Sequence, residues 1–195
     1  MTLPPADPRQ PIHQRAIICD GYKRDDGLWE VEGQLRDIRG FHIHTQWRGD
    51  IPQGSPFHDM LARITYDDDL VIRQIAVVTA TAPYPDTCPK ATDNYQRLVG
   101  LRIGGGFAKR VQELVGGVAG CAHQTELFRV LGAVAMQTLG AYHTYVSKDE
   151  GSRFNVFSRQ AEQPMLLGSC HAYAPESPVV AAIWPRHAAR PSAKD

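Results

Sequence analysis

Residues 28–38 read Leu-Trp-Glu-Val-Glu-Gly-Gln-Leu-Arg-Asp-Ile, and that alternation of apolar and polar side chains marks a strand with one buried face. A shorter β-prone run covers 15–22, and Asp25-Asp26-Gly27 between the two supplies a hairpin turn. A third strand is expected over 57–66, turning at Asp67-Asp68-Asp69 into a fourth over 70–79. Four strands joined in this way predict an antiparallel meander. The connection 39–56 is long for a segment without structure and carries His42, His44, Trp47 and Arg48. Loops of that length serve as lids or substrate contacts, or as plain flexible surface.

After Pro83 the period changes. Residues 92–99 predict a short helix, and Gly104-Gly105-Gly106 precedes a second over 107–115 whose apolar positions form a helical stripe. The longest helix is expected over 121–145, with Leu127, Val130, Leu131, Val134, Ala135 and Leu139 as its core face. Sheet first and helices second predicts an α+β fold, the helices covering one face of the sheet. For 154–185 the expectation is a helical piece near 155–162 and then a C-terminal hairpin with strands 166–173 and 179–184.

Composition narrows the class. The 195 residues carry 21 basic and 21 acidic side chains, so bulk charge points to neither nucleic acid nor a membrane surface. Cys19, Cys88, Cys121 and Cys170 contain no CxxC pair, which speaks against a zinc ribbon or a dithiol redox motif. No signal-like segment or long apolar run stands out, so a cytoplasmic protein with reduced thiols is expected. Four prolines within residues 1–11 predict an extended arm, and 186–195 reads as a flexible tail. Between them, 12–185 is read as one domain.

Chemistry concentrates in residues 116–126, Gly-Gly-Val-Ala-Gly-Cys-Ala-His-Gln-Thr-Glu. A cysteine in the first turn of a helix feels the dipole and unpaired N–H groups that favour a thiolate, and His123 and Glu126, three apart, share a helical face. Buried cysteine and ordinary capping residues would give the same letters. Cys121 therefore has three open roles: nucleophile, metal ligand, or packed residue at a helix start. His58-Asp59 is a second imidazole and carboxylate set, readable also as a structural hydrogen-bond pair. Cys121, His123, Cys170 and His171 would make a tetrahedral zinc set, although adjacent Cys170 and His171 in a strand would point to opposite faces.

Several segments, in order, carry a resemblance: Asp26-Gly27-Leu28-Trp29-Glu30-Val31-Glu32-Gly33, His58-Asp59-Met60, Asp69-Leu70-Val71-Ile72-Arg73, Ala82-Pro83-Tyr84-Pro85, Leu98-Val99-Gly100-Leu101, Gly117-Val118-Ala119-Gly120-Cys121-Ala122-His123 with Glu126-Leu127, and Cys170-His171-Ala172-Tyr173. Across roughly 11–185 the chain resembles a bacterial family catalogued as a domain of unknown function. One departure is Gly104-Gly105-Gly106-Phe107, where that family's pattern would have Gly-Pro-Gly and an aromatic residue.

The resemblance implies hydrolysis of aroyl-CoA thioesters of the vanilloyl-CoA kind, with acyl-CoA as small-molecule partner, no cofactor, and room for a homodimer. That chemistry needs an activated water or a nucleophile, oxyanion donors, and contacts to the nucleotide. The expected catalytic set is His58, Asp59, Cys121, His123 and Glu126. The expected substrate contacts are Arg24, Trp29, Tyr84, Gly105, Gly106, Arg102, Lys109 and Arg110. Two alternatives stand beside it: a zinc hydrolase, and a sulfur or iron-sulfur handling protein using Cys88 and Cys121, toward whose scaffolds the order of strands and helices bears a fainter likeness.

Overall fold

The computed structural model describes residues 3–158 and 162–189. Its chain divides into two compact units, Met1–Met136 and Gln137–Asp195.

In the first unit, β1 (His13–Lys23), β2 (Trp29–Arg39), β5 (Pro56–Tyr66) and β6 (Ile72–Thr81) form an antiparallel sheet in the order β1-β2-β5-β6. The strand period sorts the side chains as expected. Trp29, Val31 and Leu35 of β2 and Met60, Ala62, Ile64 and Tyr66 of β5 are buried on one face, the inner face. The other face carries Glu32, Gln34, Arg36, Leu61 and Arg63, half-buried or exposed.

The connection between β2 and β5 is not structureless. It folds into a small hairpin, β3 (Ile43–Thr45) with β4 (Gly49–Ile51), whose turn is closed when the Arg48 amide donates to Thr45 Oγ1 at 3.0 Å. Arg48 in turn donates to the Phe57 carbonyl at 3.2 Å, tying the hairpin to the start of β5.

In this unit the layer on the inner face holds α1 (Phe107–Val115) and the part of α2 (Ala122–Ala141) up to Met136. Phe107, Val111 and Val115 of α1 and Leu127, Phe128, Leu131 and Ala135 of α2 are buried. Helix and sheet approach closely at Gly33, where an added Cβ would lie 2.7 Å from Leu131 Cδ2. The expected helix over 92–99 is instead a 3₁₀ segment, Cys88–Leu98, begun by a proline in its first turn. It runs along β6, where Gln96 Nε2 donates to the Ile75 carbonyl at 3.0 Å.

In the second unit the expected C-terminal hairpin is absent. Where strand 166–173 was expected, turns lead into a 3₁₀ turn at His171–Tyr173, and where strand 179–184 was expected stands α3 (Pro178–Ile183). Ser177 accepts from the Val179 amide and Pro178 occupies the first helical position. These local start signals outweigh the β-branched residues that suggested a strand. Of the helical piece expected near 155–162, residues 155–158 form turns, and 159–161 lie outside the described residues. Asn155 Nδ2 donates to the Asp149 carbonyl at 3.0 Å and Ser158 Oγ to that of Glu150 at 2.7 Å, which holds the turn in place of a helix.

Candidate active site

At one end of the inner face, three neighbouring strands place Arg15, Asp37 and His58 on a single rung: Arg15 pairs with Asp37 across β1 and β2, and Asp37 with His58 across β2 and β5. Asp37 continues the buried phase of Trp29, Val31 and Leu35, so a carboxylate sits where the pattern calls for an apolar side chain, 1% exposed. Burying a charge demands partners. Arg15 supplies a two-pronged one, Nε to Oδ1 and Nη2 to Oδ2, both at 2.8 Å. His58 Nδ1 donates to Oδ2 at 2.9 Å, and His13 Nε2 lies 3.4 Å from Oδ1.

α2 completes the cluster. Cys121 immediately precedes it, its carbonyl accepting the first helical bond from the Thr125 amide at 2.8 Å. The Tyr95 hydroxyl grips this helix start: it accepts from the Cys121 amide at 3.0 Å and lies 2.8 Å from the Cys121 carbonyl. Gly120 permits the approach, since a Cβ there would stand 2.2 Å from the Val115 carbonyl oxygen and 2.9 Å from the Tyr95 hydroxyl. Two residues on from Cys121, the His123 ring stacks on that of His58, with centroids 3.7 Å apart. His123 Nδ1 is 3.7 Å from Cys121 Sγ and its Nε2 is 3.5 Å from Asp37 Oδ2. The imidazole thus lies between a thiol and a carboxylate.

Electrostatics follow from this crowding. Burial pushes the Asp37 carboxyl up, but Arg15 and His58 outweigh it and hold the group down at about 2. Burial, aided by repulsion from His123, lowers His58 to about 4 against the pull of Asp37. His123 is lowered too, by burial first and by the Arg15 charge next. Both rings are therefore neutral at pH 7. With Nδ1 of His58 donating to Asp37, its Nε2 carries the lone pair.

The residues expected from sequence fall into separate places. His58, Cys121, His123 and Glu126 come together, Glu126 by an ion pair to Arg15. Asp59 does not: it follows His58 in a strand, faces the opposite side of the sheet, and accepts from Gln34 Nε2 at 2.7 Å, with Arg36 at 3.5 Å. The partner of His58 is Asp37, which sequence reasoning missed. Its signal was present, an acidic residue in phase with four inward positions.

The expected substrate contacts are dispersed. Trp29 is a core residue at the other end of β2, its indole N–H donating to Asp68 at 2.8 Å, and Arg24 pairs with Asp26 and Glu30. Gly105 and Gly106 lead into α1, whose Lys109 and Arg110 pair with Glu113, while Arg102 bridges to Val71 of the turn before β6. Phe107, beside these glycines, packs at Gly132, nine residues along α2 from His123. These cations do not join the Asp37 cluster. Tyr84 is exposed and meets Trp47 edge to face, with ring centroids 5.9 Å apart.

Among the described residues, Asp37, His58 and His123 form a set whose ligand atoms lie within 4.8 Å of one another. Of the expected zinc quartet Cys121, His123, Cys170 and His171, this set includes His123 alone. The trio suits an ion poorly, because both Asp37 oxygens are engaged by a guanidinium and the two rings lie face to face instead of converging on one point. Cys88 opens the 3₁₀ segment along β6, half-buried.

The rung of Arg15, Asp37 and His58, met by Cys121 and His123 at the start of α2, gathers a buried carboxylate, two imidazoles and a thiol on an α+β scaffold. The chain belongs to the family described as protein of unknown function DUF2889, which matches residues 13–137. The match coincides with the first compact unit and contains every residue of the Asp37 cluster; the Cys170-His171-Ala172-Tyr173 segment lies beyond it. No curated protein and no solved structure matches the chain significantly. No helix among the described residues is long and apolar enough to cross a membrane.

Proposed function

We propose that the chain hydrolyses an acyl-CoA thioester with an aromatic acyl group, using water activated by His58. The observation that carries this reading is the Asp37–His58 pair: a buried carboxylate fixes the imidazole with Nδ1–H toward itself and leaves Nε2 to take a proton from water. A base held below its usual value stays unprotonated at neutral pH, and Arg15 keeps Asp37 ionised. In the step itself, water oxygen bonds to the acyl carbon, Nε2 takes the water proton, and collapse of the tetrahedral intermediate breaks the C–S bond. The proton returns to the departing thiolate of CoA. The acyl-CoA class rests on the family resemblance, and zinc or iron-sulfur chemistry gains no comparable support from the donor geometry.

The test is thiol release from benzoyl-CoA, vanilloyl-CoA and aliphatic acyl-CoA esters without added cofactor, followed with a disulfide reagent. Release from the aromatic esters supports the reading; none across the panel refutes it.

One observation favours a second route at the same site. Cys121 Sγ, His123 and Asp37 form a line suited to a thiolate nucleophile, with His123 as its base. Acyl transfer to Cys121 exchanges one thioester for another, and the activated water must still complete hydrolysis. An acyl adduct on Cys121, seen by mass spectrometry during turnover, distinguishes this route from direct water attack.

A further inference from the structure

The two edges of the four-stranded sheet are treated differently. Along β6, Gln96 and Gln124 side chains donate to the Ile75 and Val78 carbonyls, both at 3.0 Å, and the 3₁₀ segment Cys88–Leu98 lies beside it. β1, eleven residues long, has β2 as its one strand neighbour. Beyond that pairing no backbone hydrogen bond joins residues 14–22 to any other described residue. Proteins blunt or cover such an edge, because its unpaired N–H and C=O groups template a further strand. β1 is lightly blunted: it contains no proline, its one lysine is at its end, its inward charge Arg15 is neutralised by Asp37, and Ile18 at its centre is 62% exposed.

We infer that the bare edge of β1 pairs antiparallel with β1 of a second copy of this chain, about a two-fold axis at Ile18. The sequence of β1 is suited to that register. It pairs all eleven residues and sets His13 opposite Lys23, Gln14 opposite Tyr22, Arg15 opposite Gly21, Ala16 opposite Asp20 and Ile17 opposite Cys19. No two residues of like full charge meet. Shifting the axis to Cys19 opposes Arg15 and Lys23, and shifting it to Asp20 opposes that residue to itself, each a destabilising cross-strand pair.

The outer face supplies a second argument. Ile18, Gln34, Leu61 and Val78 are mutual partners along one line across the four strands, and they line a shallow cavity of about 430 Å³. Leu61 is 38% and Val78 53% exposed. An axis at Ile18 carries this line straight into its copy, joining four strands from each chain in one sheet and burying the isoleucine of each against the other. This inference is independent of the thioester reading, because β1's outer edge takes no part in the acid-base chemistry.

The test is sedimentation of the full chain and register-specific cross-linking. The expected mass is twice 21.6 kDa. In a Cys170→Ser background, Ile18→Cys should give a covalent dimer under mild oxidation, because identical residues at the axis face one another. Val78→Cys, on the same face but at the opposite edge, should not. Ile18→Lys sets two ammonium groups opposite each other and should sediment as a monomer with an unchanged circular dichroism spectrum. A wild-type chain that sediments as a monomer at about 100 μM, equal cross-linking at positions 18 and 78, or a persistent Ile18→Lys dimer overturns the inference.

Discussion

Replacing Asp37 by Asn removes a charge while keeping the shape of the side chain. The wild-type carboxyl is held at about 2 against an ordinary 3.8, and that fall corresponds to about 2–3 kcal/mol of net favourable interaction with its surroundings. Breaking one partner out of a buried pair costs about 3–5 kcal/mol when the other charge is left stranded. Here Arg15 is about one-third exposed and retains Glu126, so the lower figure applies and a loss of about 2–3 kcal/mol is expected. The catalytic cost is separate. An amide in place of the carboxylate no longer enforces the Nδ1–H tautomer of His58 or stabilises its protonated form, and kcat should fall by about 10²–10⁴-fold. The paired control is Asp59→Asn, which faces the other side of the sheet and should stay within about 0.5 kcal/mol and retain full turnover. Urea unfolding gives the first quantity and thiol release from an aroyl-CoA ester the second. An Asp37→Asn protein with unchanged urea midpoint and undiminished kcat, or an inactive Asp59→Asn protein, would refute the reasoning.

Because His58 is held at about 4 while its unfolded value is 6.5, the unfolded chain binds more protons between those limits; stability is complete above pH 6.5 and falls by about 3 kcal/mol as pH drops through 4, measurable as a declining urea midpoint. Cys121→Ala separates the two chemical routes, since direct water attack predicts retained turnover with about 1 kcal/mol lost in packing, and a folded but inactive variant indicates the covalent route. Tyr95→Phe takes away the group that grips the start of α2 and should cost about 1–3 kcal/mol in thermal or urea unfolding. Gly33→Ala drives a methyl group toward Leu131 and should cost about 1–3 kcal/mol, checked by the same unfolding curves.

The sheet was legible because its strands obey a period of two over ten or eleven residues and its turns carry Asp and Gly in the required places. α1 and α2 were legible from their apolar stripes. The C-terminal hairpin was misread because Val179, Val180 and Ile183 favour a strand in isolation, whereas Ser177-Pro178 determines how the segment starts. The site was half legible. The Cys121, His123 and Glu126 grouping follows from local spacing on one helix, but Arg15 and Asp37 join it through strand pairing between residues 22 apart in the chain. Asp59 is next to His58 in sequence, but adjacency in a strand sends the two side chains to opposite faces of the sheet.

The rung of Arg15, Asp37 and His58 also bears on how the chain reaches this structure. Antiparallel strands can slide past one another in steps of two residues without turning their apolar faces outward, so the greasy pattern of β2 alone tolerates such misalignment. A two-residue slide of β2 would put Leu35 between Arg15 and His58 and move Asp37 opposite His13, costing the carboxylate its place beside the two-pronged guanidinium and the His58 ring. The ion pair therefore acts as an alignment key that favours the native offset. A variant that replaced the whole rung with leucines could match the stability of the native sheet and still fold to a mixture of registers.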